Sequence, residues 1–420
     1  MDQIILNSNP FLLTLFALLP VLFFGIVKNK IKLKKLNLPP SPSKLPLIGN
    51  LHQIGNLPHN SLHDLSLKHG PLMFVNLGTT RYLIVSSADA LEEITKNHDI
   101  TISNRPTNTS LNPLKGNGQD LVYHPYGDHW KELRKISAIH LMSKNVVNRF
   151  QTLRDEEISS MLETIHFSSL KGEEIDMSDM FNTVVSNVVH RSYTGSYKKE
   201  EKKGLENATR VFLNWDGIFV AAIESVALEL EWLLADLIKH PQVMRKAQEE
   251  VQRIVGTKPK ITNNEIDKMQ YLKCVIKETM RLHPAGTVPR ETSSKWIKVG
   301  GYDIPPKTKL LVNLFSVQRD PKIWENAEDF IPERFLDKSI EYMGSKGYAP
   351  FGFGRRNCPG MAYGNALLEE IMANLLYRFD WKIPDGSKPE ELNMEEVCQF
   401  VVAKKYPLKL VPVPRFKSNA

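Results

Sequence analysis

One cysteine of the 420-residue sequence stands where its neighbours could make it reactive. Cys358 lies in "PFGFGRRNCPGM", Pro350 to Met361, between two arginines and a Pro-Gly pair. It could be a buried core thiol, a zinc ligand, a catalytic nucleophile or a thiolate ligand to a cofactor. The other cysteines, Cys274 and Cys398, are distant and no Cys-x-x-Cys pair occurs, which argues against a cysteine-rich zinc site and a disulfide framework. Leu367, Leu368, Ile371, Met372, Leu375, Leu376 and Phe379 then recur at helical spacing, predicting a buried helix over 360–379. Pro359 suits its first position, leaving Cys358 at the N-cap, where backbone N–H groups and the positive dipole end stabilise a thiolate. Gly354 and Gly360 remove side chains on either side of the sulfur, so that a flat ligand could approach the backbone. Arg355 and Arg356 supply cations for acidic groups on such a ligand. A nucleophile needs a base, and no histidine is near in sequence. An inert thiol needs neither the glycines nor the arginines. The residues favour a thiolate ligand.

The elements that must position this loop are legible in outline. An apolar run, Phe11 to Val27, is followed by Lys28, Lys30, Lys32, Lys34 and Lys35. Its length suits a single membrane span. The lysines follow the run and Asp2 precedes it, which argues for a retained anchor over a cleaved signal peptide. By the positive-inside rule the body after Lys28 is cytoplasmic. The five lysines also explain the formal charge of +7, which falls to +2 without them, so nucleic acid is not favoured as a partner. A hydrophobic fraction of 42% and a charged fraction of 24% are those of a globular chain. Pro39, Pro40, Pro42 and Pro46 stiffen a connector, so the chain divides into an anchor and basic flank (1–35), a proline hinge (36–55) and a body (56–420). "PLMFVNLG" and "RYLIVSS" predict a β-hairpin, and "ADALEEITKNH" a helix. Helical patterns run over 128–166, 215–240 and 263–284, and short strands are expected around 295–305, 308–317 and 401–413. The fold class is mainly α with small β-sheets, preceded by one N-terminal transmembrane helix.

At every fixed position "FGFGRRNCPG" resembles the haem-binding loop of the cytochrome P450 family, Phe-x-x-Gly-x-Arg-x-Cys-x-Gly, with Phe351, Gly354, Arg356, Cys358 and Gly360 in place. Other segments agree in order. "KETMR" carries the family's Glu-x-x-Arg pair, Glu278 and Arg281, and "PERF" supplies Arg334, which completes an ion-paired cluster in the family. Trp130 and Arg134 in "GDHWKELRK", and Arg290 in "VPRE", match residues that bind haem propionates. Alone, each of these would read as an ordinary solvated side chain. "FVAAIESVALELEW" matches the distal helix, with Glu224 and Ser225 as proton-relay candidates, Ala222 replacing the usual glycine and Val226 the second hydroxyl.

The resemblance implies haem b with Cys358 as axial thiolate, which promotes O–O cleavage. It implies electrons from NADPH through a separate cytochrome P450 reductase, with cytochrome b5 as a further electron donor. The anchor, the hinge and "LPLIGNLHQIG" look like the plant endoplasmic-reticulum branch, implying a single-pass protein that oxidises a small apolar specialised metabolite such as a terpenoid, alkaloid or phenolic. One departure is large. Residues 196–217 bridge a gap that in the family holds several helices, so the chain is shorter than its relatives by roughly 80 residues, too many for loop trimming. Two other readings therefore stay open: a haem-binding chain without turnover, and an oxygen-independent haem-thiolate isomerase or dehydratase.

Overall fold

A computed structural model of the chain describes residues 36–106, 121–194, 217–286, 288–337, 340, 346–399 and 401–416. The expected anchor and the shortened joint up to residue 216 lie outside them. Among the described residues no helix is long and apolar enough to cross a membrane.

The chain is mainly helical with small sheets. Helix α1 (Pro58–His69) leads into the hairpin β1 (Leu72–Leu77) and β2 (Thr80–Val85). Ser87 accepts the Ala90 N–H and opens α2 (Ala88–His98), over the residues the pattern predicts. The helical stretch from residue 128 is three helices, α3 (Asp128–His140), α4 (Lys144–Arg149) and α5 (Gln151–Lys171), because Ser143 caps a new start at the Val146 N–H. Strand β3 (Ile175–Asp176) and α6 (Met177–Thr194) follow, then α7 (Gly217–Lys239) and α8 (Pro241–Val255), the latter with proline in its first turn.

The pattern predicts a single helix over 263–284, whereas the structure has two, α9 (Asn263–Ile266) and α10 (Gln270–Leu282). The break has a visible cause. Thr262 and Glu265 form a capping box at α9, while the Tyr271 and Leu272 N–H groups donate to the Glu250 carboxylate of α8 (2.8 and 2.9 Å). The remaining elements are β4 (Arg290–Glu291), β5 (Ile297–Val299), β6 (Tyr302–Ile304), β7 (Lys309–Val312), α11 (Leu314–Val317), α12 (Met361–Arg378), β8 (Phe379–Lys382), β9 (Glu396–Cys398), β10 (Val402–Lys404) and β11 (Lys409–Pro414).

The largest sheet has the order β1-β2-β7-β4. β2 runs parallel to β7, from Tyr82↔Lys309 to Val85↔Val312, and Arg290 of β4 pairs with Leu310. The proline connector lies along this part of the body: Pro40 accepts the Phe74 N–H (2.8 Å), and the Asn37 and Asp303 N–H groups are exchanged with Asp303 and Asn37 oxygens. The main core joins α5, α6, α7, α8, α10 and α12. In α12, Leu367, Ile371, Met372, Leu375 and Leu376 have no exposed surface, each such side chain contributing about 1.5–3 kcal/mol of apolar burial. A buried fork of Arg154 on Glu370 (2.7 Å for both bonds) ties α5 to this central helix. α12 carries the cysteine loop at its start.

Candidate active site

The cysteine loop closes on itself before α12 begins. The Cys358 N–H donates to the Phe351 carbonyl (2.7 Å), and the first helical bond runs from Gly364 N to Gly360 O (2.8 Å). The N-cap is therefore Gly360 and not Cys358, and Pro359 precedes the helix and does not open it. Cys358 is exposed on the cavity wall, but the protein packed around it pushes the thiol above its ordinary value, against the pull of the Gly360 N–H and the Arg134 guanidinium. Without the helix cap the loop does not hold a thiolate unaided; a metal cation on the sulfur would deprotonate it outright.

The two glycines differ. A Cβ on Gly360 would meet Cys358 Sγ at 3.8 Å, so this glycine borders the sulfur and lines the cavity below. Gly354 has φ +55°, and a Cβ there would meet Asp99 Oδ1 at 2.1 Å. Its missing side chain makes room for Asp99, which accepts the Arg355 N–H (3.1 Å), and not for a flat ligand. The Arg355 guanidinium also turns to Asp99 (3.3 Å), so of the two loop arginines only Arg356 lines the cavity.

A cavity of about 450 Å³ is walled by Phe351, Cys358 and Gly360 of the loop, and by Ala221, Ala222, Glu224, Ser225, Val226 and Glu229 of α7. Trp130, Arg134, Arg290 and Arg356 line the same space. Arg356 donates to the Ser103 (2.8 Å) and His124 (2.6 Å) carbonyls, and its guanidinium lies over the Trp130 ring. The single N–H of Trp130 is occupied by the Leu121 carbonyl (2.9 Å), so Trp130 acts here as a platform and not as an open donor. Arg134 forks onto the Asn357 carbonyl (2.8 Å) and side chain (2.6 Å). Arg290 donates from Nη2 to the Phe353 carbonyl (2.5 Å) and covers the Phe353 ring.

Arg290 Nη1 is buried without a hydrogen-bond partner among the described residues. Burial, together with the Arg105 and Arg356 cations, pushes this guanidinium down to about 9. A buried cation in that setting calls for an anion. Arg105, which the sequence reading did not single out, also lines the cavity, held by the Val122, Val288 and Pro289 carbonyls. A flat apolar group bearing two carboxylates and a thiolate-seeking metal fits these residues.

On α7, Ser225 Oγ donates to the Ala221 carbonyl (2.5 Å), and burial raises the half-buried Glu224 above the usual carboxylate range. Both line the cavity. Glu229, one turn past Ser225, is more deeply buried and is pushed up to about 8 by burial and by Asp236.

Glu278, Arg281 and Arg334 come together away from the cavity wall. Arg281 forks onto Glu278 (2.7 and 2.9 Å) with neither side chain exposed, and Arg334 Nε reaches the same carboxylate (3.2 Å). Arg281 also donates to the Gln318, Ala327 and Asp329 carbonyls, so the cluster fastens α10 to the loops after α11. Gln318, missed in the sequence, continues the link. Its amide donates to the Met280 (2.9 Å) and Arg281 (3.1 Å) carbonyls and accepts the Ala349 N–H (2.9 Å) at the start of the cysteine loop.

Comparison with known proteins agrees with this architecture. The cytochrome P450 family model matches in two stretches, residues 39–216 and 196–410. Cytochrome P450 71B4 of Arabidopsis thaliana is 36% identical, with the match covering 96% of this chain and 98% of the relative. Phenylacetaldehyde oxime monooxygenase of Prunus mume is 33% identical over 97% of this chain and 95% of its own length. Desmethylyatein synthase of Sinopodophyllum hexandrum is 34% identical over 96% and 98%. The first of these matches runs to 496 positions against a chain of 420 residues, so at least 76 positions of the alignment have no counterpart here. The two family stretches meet at 196–216, where the sequence reading locates the shortened joint. From the cysteine loop, the glutamate–arginine cluster and these matches together, the chain belongs to the cytochrome P450 family.

Proposed function

We propose that this chain is a membrane-anchored haem-thiolate monooxygenase of the endoplasmic reticulum. It would take electrons from NADPH through a reductase, with cytochrome b5 as an auxiliary donor, and hydroxylate a small apolar plant specialised metabolite. The observation that carries the reading is the meeting, in one cavity, of Cys358, the partnerless Arg290 Nη1 and the acid–alcohol pair Glu224 and Ser225. Bound there, haem b supplies the activation of molecular oxygen that inserts one oxygen atom into the substrate. Cys358 would give its thiolate to the iron. Arg134, Arg290 and Arg356 would hold the two propionates, with Trp130 supporting Arg356 and Phe351 and Gly360 shaping the space beside the sulfur. Glu224, whose pKa burial raises, would be the acid of the relay, and Ser225 would pass a proton on by turning its hydroxyl away from the Ala221 carbonyl. Glu278, Arg281 and Arg334 would hold the proximal framework.

The test is the reduced, CO-bound absorption spectrum of the purified chain. The thiolate-type Soret band is expected for the wild type and absent from Cys358→Ala. Folded, haem-loaded wild type without that band would refute the assignment. One observation favours a second reading, a haem-binding chain without coupled turnover: at least 76 aligned positions have no counterpart here, and the family match breaks into two stretches that meet at 196–216. NADPH consumed with reductase to give only peroxide, across a broad metabolite panel, would establish it in place of the first.

A further inference from the structure

Glu229 has no part in the oxygen chemistry proposed above. It sits one turn beyond Ser225, at i+4, so the two share a helix face. It is 9% exposed, lines the cavity, and its Oε2 is sealed without a hydrogen-bond partner among the described residues. A buried carboxyl left in that condition costs free energy that a bound donor would recover.

The described residues offer Glu229 no cation. Arg105, Arg134 and Arg356 of the same cavity are held by the carbonyls of Val122, Asn357 and Ser103, and Arg290, held through Nη2 by the Phe353 carbonyl, forms no ion pair with Glu229 among the described residues. No lysine lines the cavity among the described residues, and much of its wall is apolar, including Met280, Ala285 and Val401. Asp236, two turns further along α7, is engaged elsewhere, by the Thr279 hydroxyl (3.0 Å) and His283 Nε2 (3.3 Å).

We propose that Glu229 determines specificity, selecting among small apolar substrates those that carry a basic amine, which it pairs with inside the cavity. The proposal rests on the haem-thiolate reading for why the cavity receives a substrate at all. Glu229 holds its proton up to about 8. An amine entering as the free base takes that proton onto nitrogen and leaves a carboxylate–ammonium pair. No net charge enters the apolar space, and the pair gains the strength that low dielectric gives a direct contact.

The test uses the full-length, haem-loaded protein in equilibrium dialysis with two matched probes. One is N,N-dimethyl-3-phenylpropylamine, a tertiary amine too hindered to ligate iron well; the other is its hydrocarbon isostere, with CH in place of nitrogen. Wild type should bind the amine at least about tenfold more tightly than the hydrocarbon, the worth of a charged hydrogen bond. Glu229→Gln should lose that preference while keeping its hydrocarbon affinity. Glu229→Leu, which buries no acid, makes the same test if the glutamine variant does not fold. Equal binding of the two probes by wild type, or a preference that survives in either variant, overturns the proposal. So does a neutral ketone isostere bound as tightly as the amine, which would make Glu229 a simple hydrogen-bond donor. The CO spectrum of the same preparations separates the two readings. Glu229-dependent amine preference without the thiolate band sinks the monooxygenase and leaves this proposal standing, and the band without the preference does the reverse.

Discussion

The Arg356 guanidinium lies 4.1 Å from the centre of the Trp130 ring, and both residues are buried where the cysteine loop meets α3. The indole is thus the floor on which a cavity arginine rests. Trp130→Phe keeps a ring but loses the N–H bond to Leu121 and part of the indole's buried volume, so it should cost about 1–3 kcal/mol. Trp130→Ala removes the floor and should cost about 3–5 kcal/mol, with Arg356 released and haem lost faster to apomyoglobin. Equal haem loss from the two variants would show that the ring is not what supports Arg356.

Arg281 should tolerate no substitute. Arg281→Ala strips the fully buried Glu278 carboxylate of its fork and leaves it only the single Arg334 contact, and should cost about 3–5 kcal/mol by urea midpoint. Arg281→Lys keeps the charge but cannot fork onto the carboxylate while reaching three carbonyls. It should therefore fall nearer to alanine than to wild type.

Gln318 is the most informative residue outside the cavity. Gln318→Ala strips the Ala349 N–H and the two α10 carbonyls of their partner. A loss of about 1–3 kcal/mol is expected, together with faster amide exchange in the cysteine loop. Unchanged exchange over residues 349–358 would contradict the link.

Gly354→Ala should be destabilised twice, by the left-handed backbone and by the Asp99 carboxylate. Asp99→Ala removes only the second conflict. The double variant should therefore be more stable than the sum of the two single losses implies, by about 0.5–3 kcal/mol of coupling. Strict additivity would mean that the conflict is purely one of backbone.

Two acids, the buried Glu229 and the half-buried Glu369, fix the sign of a pH effect. Glu229 is raised to about 8, and Glu369 to about 7 by burial and by Asp267 and Glu370, against Lys273 and Lys144. Between the unfolded value near 4.5 and these folded values, the native chain holds protons that the unfolded chain releases. Stability should therefore fall as pH rises through that window and level off above about 8. Glu229→Gln should flatten the upper part of the decline in urea midpoints. A variant that tracks wild type throughout would show that Glu229 is not protonated in the folded chain.

What was legible in the sequence is what rests on local chemistry. The pattern of "ADALEEITKNH" gives α2 its bounds, and the turn between Leu77 and Thr80 marks the hairpin. The cysteine loop is legible because five fixed residue types, Phe351, Gly354, Arg356, Cys358 and Gly360, fall at set spacings within ten positions. What was not legible depends on distant partners. Glu250 on a neighbouring helix, and not any breaker within 263–284, starts α10. Asp99, more than two hundred residues away, decides what Gly354 is for. Gln318 looks like any polar residue until its three backbone partners are seen. Glu229 did leave a signal, an acid four residues after Ser225 in a helix that is apolar nearly all round, but periodicity alone reads it as solvated.

The parallel pairing of Tyr82 with Lys309 has a consequence for how the chain is made. The hairpin emerges early from the ribosome, yet the strand that covers its edge is synthesised only after most of the helical body. Throughout that interval Leu83, Ile84 and Val85, which end without exposed surface, present an unpaired apolar edge. Sheet closure is thus a late event that cannot begin from the N-terminal half alone, and a nascent chain stalled before residue 309 would leave that edge open to pairing with another chain.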